Sequence, residues 1–202
     1  MSPLEIAAVL FAIAYLLLVI RENVLCWPAA LIGVLLSLIV FYDAKLYMES
    51  ALQVFYAGMA IYGWYQWSHG GRRGEGVAIR VWPWQLHAIA IGGTIAVSAA
   101  AGSIMSAYTD AAYPYLDSFT TIAALVTTYM VAKKVLENWI YWFVIDGVSV
   151  YLYGARGLFL FAGLFVGYLV LIVIGFRAWR RQWNAERSGA IAQGAAEEAA
   201  RA

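Results

Sequence analysis

Apolar runs about one membrane span long alternate with short polar breaks along almost the whole chain. The runs cover roughly residues 4–20, 24–41, 51–67, 84–105, 119–132, 138–153 and 158–176. A helix crossing a bilayer needs about 20 apolar residues at about 1.5 Å each. The pattern therefore predicts seven transmembrane helices, the fifth and sixth of them short. The sixth run also carries a polar stripe. At about 100° per residue, Asn138, Trp142, Asp146, Ser149 and Tyr153 fall within an arc of roughly 80°, and the rest of that helix is Ile, Val, Phe and Leu. An acid in mid-span costs about 2.5–3.5 kcal/mol on insertion scales, so the stripe is expected to face a protein interior or a wet cavity. It fits a structural hydrogen bond between helices or, the stronger reading, a polar substrate site walled by aromatic rings. The third run has a second stripe of Glu49, Gln53, Tyr56, Ala60, Trp64 and Trp67. Gln53 is an amide in lipid and needs partners, from a neighbouring helix or from a substrate.

Composition agrees with an integral membrane protein. Apolar residues make up 64% and charged residues 12% of the chain, where a soluble domain is nearer half and a quarter. A net charge of +1 gives no reason to expect nucleic acid. Cys26 is the single cysteine, so no intrachain disulfide forms. His69 and His87 stand apart from Cys or acidic clusters and read as interfacial, not as metal ligands. No basic residue precedes the first run and no small-residue cleavage site follows it, so a cleavable signal is not expected.

Charge also sets an expected orientation. Seven spans put the termini on opposite sides. With the C-terminus inside, the inner segments hold Arg21, Arg72, Arg73, Arg80, Lys133, Lys134, Arg177, Arg180, Arg181, Arg187 and Arg201. The outer ones hold only Lys45 and Arg156. The expectation is a multi-pass protein of the cell (inner) membrane, N-terminus outside and C-terminus cytoplasmic.

The chain repeats itself. Arg21-Glu22-Asn23 with Trp27 echoes Leu136-Glu137-Asn138 with Trp142, about 115 positions on, and Gln66-Trp67 resembles Gln182-Trp183. Three helices thus repeat as three helices around a linking one. Both triplets enter the membrane in the same direction, a parallel repeat about an axis along the membrane normal. The fold class expected is all-α, seven transmembrane helices in a 3+1+3 parallel-repeat arrangement. Its single transmembrane domain covers 1–183: repeat one about 4–67, the linking helix about 84–105, repeat two about 117–183. Residues 184–202 read as a flexible cytoplasmic tail. Gly163 and Gly167 form a GxxxG that lets helix backbones approach. The glycine-rich stretch 70–76 lacks the Gly-Lys-Ser/Thr ending of a phosphate loop and reads as a flexible basic loop. Neither Gly-x-Ser-x-Gly nor HExxH occurs, so an enzyme is not expected.

Glu137-Asn138-Trp139 with Trp142 and Asp146, then Tyr153, Arg156 and Gly157, resembles the sixth-helix signature of PnuC-type vitamin transporters. Tyr62-Gly63-Trp64-Tyr65-Gln66-Trp67 resembles the end of their third helix. The likeness covers roughly residues 4–183. It implies a 3+1+3 fold and facilitated diffusion of nicotinamide riboside or a similar vitamin, with uptake sustained by a cytoplasmic kinase and no cofactor. It also points to Asn138 and Trp142 as site residues, with Gln53 beside them. Asn23 and Trp27, their echo in the first half, either mirror the site or only pack. The chemistry suits a flat cation bearing a carboxamide and a sugar: indole faces attract such rings, amides bond the polar groups, and Asp146 can balance the charge. Trp64 completes the expected substrate-binding set. A phosphorylated substrate would want Arg or Lys in the pore, and the central runs have none. The expected partners are a small vitamin and the bilayer, and a homo-oligomer is allowed. Thiamine, riboflavin, or a sugar carried by a SWEET-type porter of the same plan are the alternatives.

Overall fold

The computed structural model of the chain describes residues 3–43, 45, 47–71, 74–109, 113–155, 157 and 159–201, without the side chains of Glu5, Tyr47, Met48, Glu49, Leu160, Phe161, Ala190 and residues from 192 on. Arg72, Arg73 and Arg156, and the side chain of Glu49, therefore lie outside the described residues. The described residues form seven helices: α1 (Pro3–Ile20), α2 (Cys26–Asp43), α3 (Tyr47–His69), α4 (Trp84–Tyr108), α5 (Pro114–Ala132), α6 (Asn138–Ala155) and α7 (Phe159–Arg201). Local chemistry sets several ends. Asn23 Oδ1 accepts the Leu25 N–H at 2.9 Å and caps the start of α2. Pro114 stands at the first position of α5, where its missing N–H costs nothing. From residue 184 on, the stretch expected to be a cytoplasmic tail continues α7 as helix to Arg201. Its Ala and Glu content favours that state.

Burial is inverted relative to a water-soluble domain. Asn138 and Thr127 are fully buried, while Leu10, Ile89 and Phe159 are largely exposed. Among the described residues, three helical stretches are long and apolar enough to cross a membrane by length and composition: Cys26–Asp43, Trp84–Tyr108 and Ala162–Gly189. Fewer pass that measure than the seven runs in the sequence because α1 counts only as the shorter apolar helix Ile6–Ile20 and α3, α5 and α6 carry polar side chains. Ser50, Thr127, Thr128, Asn138, Asp146 and Ser149 are turned into the protein.

Helices α1, α2 and α3 pack in sequence, and so do α5, α6 and α7. Contacts of α3 with α5 and of α1 with α7 join the two groups, and α4 lies along α5. The α4 seam is small and polar: Thr94, Ser98 and Gly102 are buried, which permits close approach in lipid.

The core contacts recur at one interval. Glu22 and Lys134, 112 positions apart, form an ion pair at 3.0 Å. Both have left-handed backbone, φ 51° and 48°. At the same spacing, Trp67 Nε1 donates to the Val131 carbonyl at 3.2 Å and Trp179 Nε1 to the Val19 carbonyl at 2.9 Å. Trp27 meets Trp67 edge-on at 5.5 Å and Trp139 meets Trp179 edge-on at 5.5 Å. A Cβ on Gly63 would collide with the Trp27 indole, and one on Gly175 with the Trp139 indole. The structural counterpart of Trp27 is therefore Trp139. The sequence echo at about 115, which paired Trp27 with Trp142, is shifted by one helical turn. Conserving the indole–glycine fit, and not the Glu-Asn-Trp letters, sets the register.

These bonds tie the α1–α2 and α5–α6 turns together at one end of the bundle. Lys134 Nζ also sits over the Trp67 ring at 4.7 Å, and Lys133 Nζ donates to Gln66 Oε1 at 3.0 Å. The backbone at Arg80 pairs with Lys134 and Leu136. Burial pushes the Glu22 carboxyl above its usual range, and the Lys134 ammonium pulls it back. The 70–76 stretch is a defined turn where described: Gly76 N–H bonds the Gly70 carbonyl at 2.9 Å.

Candidate functional site

Beyond that clasp the two helix groups enclose two adjoining lobes. The polar lobe, about 240 Å³, lies between α1, α6 and α7 and is lined by Asn138, Trp139, Trp142, Asp146, Phe165 and Tyr168, among others. The apolar lobe, about 180 Å³, is lined by Trp27, Ala30, Gly33, Val34, Tyr56, Ala60 and Thr128. Ala12, Tyr15 and Trp142 line both. Among the described residues no Lys or Arg lines either lobe.

The α6 stripe builds the polar lobe because i, i+4, i+8 positions share a face. Asn138 Nδ2 donates to the Val135 carbonyl at 2.6 Å, which fixes the amide, and its buried Oδ1 has no partner among the described residues. One acceptor thus stands ready for a donor. Asp146 is 6% exposed and sits two turns further along. Ser149, on the same stripe, donates to the Ile145 carbonyl of its own helix at 2.9 Å and is a structural hydroxyl. Tyr153 stacks on Phe165 at 5.3 Å and backs the wall that Phe165 forms.

At the 112-position interval set by the clasp, the two lobes have one frame with different contents. Trp27 answers Trp139 and Tyr56 answers Tyr168. Ala30 stands opposite Trp142, Val34 opposite Asp146, and Ala60 opposite Ile172. The second half supplies the bulk, the amide and the acid; the first half leaves a smooth apolar space.

Of the residues expected from sequence, Asn138, Trp142 and Asp146 meet in the polar lobe, and Trp27 lines the apolar one. Gln53 is half-buried and lines neither. Asn23 is exposed and serves as the α2 cap. Trp64 is 49% exposed and points away, because the interior stripe of α3 runs through Tyr56, Ala60, Gly63 and Trp67. Gly63 takes the inward position to admit Trp27. Sequence reasoning missed Tyr15, Trp139, Phe165 and Tyr168 as lining residues. Tyr15 left a signal, a lone polar-tipped ring in the aliphatic run of α1. The others look like ordinary lipid-facing aromatics.

A helical bundle that exposes apolar side chains all round and encloses an amide, an acid and aromatic rings is a multi-pass membrane protein with an internal ligand cavity. The chain belongs to the nicotinamide mononucleotide transporter family, the PnuC family, whose model matches residues 2–181. It is thus a vitamin transporter of that family. It is 30% identical over 168 residues to the riboflavin/roseoflavin transporter RibM of Streptomyces davaonensis, covering 79% of this chain and 76% of the relative. It is 28% identical over 182 residues to the nicotinamide riboside transporter PnuC of Escherichia coli K12, with 78% and 75% covered. Its fold matches the crystal structure of the vitamin B3 transporter PnuC with a TM-score of 0.67 at 21% identity, over 88% of this chain and 80% of that one.

Proposed function

We propose that this protein carries nicotinamide riboside across the cell membrane by facilitated diffusion, through the polar lobe. The observation that carries the reading is the content of that lobe: a fixed, unpaired amide oxygen at Asn138, the Trp142 indole, and the Asp146 carboxyl, with no base beside them among the described residues. Asn138 Oδ1 accepts an N–H or O–H of the carboxamide or ribose. The indoles face the cationic ring, worth roughly 0.5–2 kcal/mol when desolvated. Asp146 supplies the counter-charge. A phosphorylated nucleotide finds no guanidinium or ammonium there among the described residues, so the riboside suits the lobe better than the mononucleotide. Phosphorylation by a cytoplasmic kinase then traps the vitamin and sustains uptake.

The 3+1+3 arrangement is part of the same reading. The recurrence at 112 positions and the packing of α1–α3 and α5–α7 as two groups support two parallel halves about an axis along the membrane normal, with α4 as the link. Rocking of one half against the other would open the lobes alternately to each side.

A second reading is a fused-ring vitamin. The apolar lobe, walled by Trp27, Tyr15 and Tyr56, offers a flat neutral ring system a place beside the polar lobe, and the similarity to RibM points the same way. Calorimetric titration of the purified protein with nicotinamide riboside, riboflavin, thiamine and nicotinamide mononucleotide decides between them. The riboside is expected to bind most tightly and the mononucleotide weakly. A mononucleotide that binds as tightly as the riboside would overturn the proposal.

A further inference from the structure

A separate groove of about 320 Å³ runs on the outside of the bundle between α6 and α7. It is lined by Trp139, Ile140, Phe143, Ile172, Val173, Phe176, Arg177 and Arg180. The apolar run of α7 ends at Phe176 and turns basic at Arg177. The groove straddles that boundary, with an aliphatic and aromatic trough on one side and two guanidinium groups one turn apart on the other. Among the described residues no acidic side chain lines it. Residues at i and i+3 of a helix present their ends together, and a guanidinium pairs with phosphate oxygens bidentately. The first half lacks this pair: 112 positions earlier, the interval of the clasp, the counterparts are Tyr65 and Ser68.

Two of the lining residues, Trp139 and Ile172, also line the polar lobe. Trp139 is a septum between groove and cavity. Its Nε1 is buried without a partner, so packing against Gly175 and Trp179 holds the ring in place. What fills the groove therefore bears on the wall of the vitamin site.

We propose that this groove binds an anionic phospholipid, its phosphodiester on Arg177 and Arg180 and an acyl chain along Phe143, Val173 and Phe176, and that the bound lipid steadies Trp139 for substrate binding. The coupling half of the proposal rests on the transporter reading above; the lipid site does not. A zwitterionic headgroup brings its own ammonium and gains less from the arginines.

The test uses the full-length protein in detergent, supplemented with dioleoyl phosphatidylglycerol, with dioleoyl phosphatidylcholine, or with glycerol phosphate lacking any acyl chain. Phosphatidylglycerol should raise the thermal midpoint and tighten riboside binding about five-fold, at the low end of common coupling, and the other two should do neither. The double variant Arg177→Gln/Arg180→Gln should bind riboside as wild type does in phosphatidylcholine and lose the phosphatidylglycerol response. Val173→Trp, which fills the trough and keeps both arginines, should lose it too. Equal responses to the two lipids, a response retained by either variant, or a response to glycerol phosphate alone would overturn the site. A thermal response without any riboside binding would leave the lipid site standing and sink the transport reading and its coupling.

Discussion

Asn138 and Trp142 carry the predictions at the scale of single residues. Asn138 holds its amide by a bond to Val135 and presents only the oxygen. Asn138→Ala leaves a substrate donor unpaired in a buried site and should weaken riboside binding by about 1–3 kcal/mol. Trp142→Ala removes an indole wall and should weaken it by about 0.5–2 kcal/mol. Titration of variants that elute as wild type measures both, and wild-type affinity in each would remove this site assignment. Ala30→Trp imports the residue found at the corresponding place in the second half. It should fill the apolar lobe, abolish any riboflavin binding and change riboside binding less than about three-fold, since Ala30 does not line the polar lobe. Parallel loss of both ligands would show that the lobes act as one site. The α6 stripe was legible in sequence because an acid and an amide in an apolar run admit few explanations. Trp64, expected in the site, is exposed: aromatic rings serve equally as walls and as lipid-facing belts, and the space left at Gly63 distinguishes the two faces of α3.

The clasp makes the prediction at the scale of elements. Gly63 and Gly175 perform the same task in different helices, each giving room to an indole. Gly63→Ala and Gly175→Ala should each lower stability by about 1–3 kcal/mol through overpacking. Thermal unfolding in detergent checks this, and a loss confined to one glycine would break the proposed equivalence of the halves. Helix positions were readable from the apolar runs, since each run needs one span. The register of the repeat was not. Glu22 and Glu137 sit near similar letters, yet the bonded partner of Glu22 is Lys134. That pairing across 112 positions depends on left-handed turns and buried indoles that no local pattern records.

Orientation and transport belong to the whole molecule. The Lys/Arg bias predicts that a reporter fused after Ala202 is active in the cytoplasm; an external reporter would invert the proposed topology. Among the described residues no lysine or arginine lines the polar lobe and Asp146 is the one acid that does; in the proposed function it is the counter-charge of a cationic vitamin. A proton-driven carrier typically uses several intramembrane acids or histidines, and the proposed function is passive exchange. The most direct measurement is uptake of labelled nicotinamide riboside by proteoliposomes containing this protein and no kinase. The predicted result is entry until the internal concentration equals the external one, unaltered by a pH or sodium gradient, and further accumulation only when a riboside kinase and ATP are enclosed. Absence of riboside entry by folded protein, or accumulation without kinase that collapses with a protonophore and is lost in Asp146→Asn, would contradict the account.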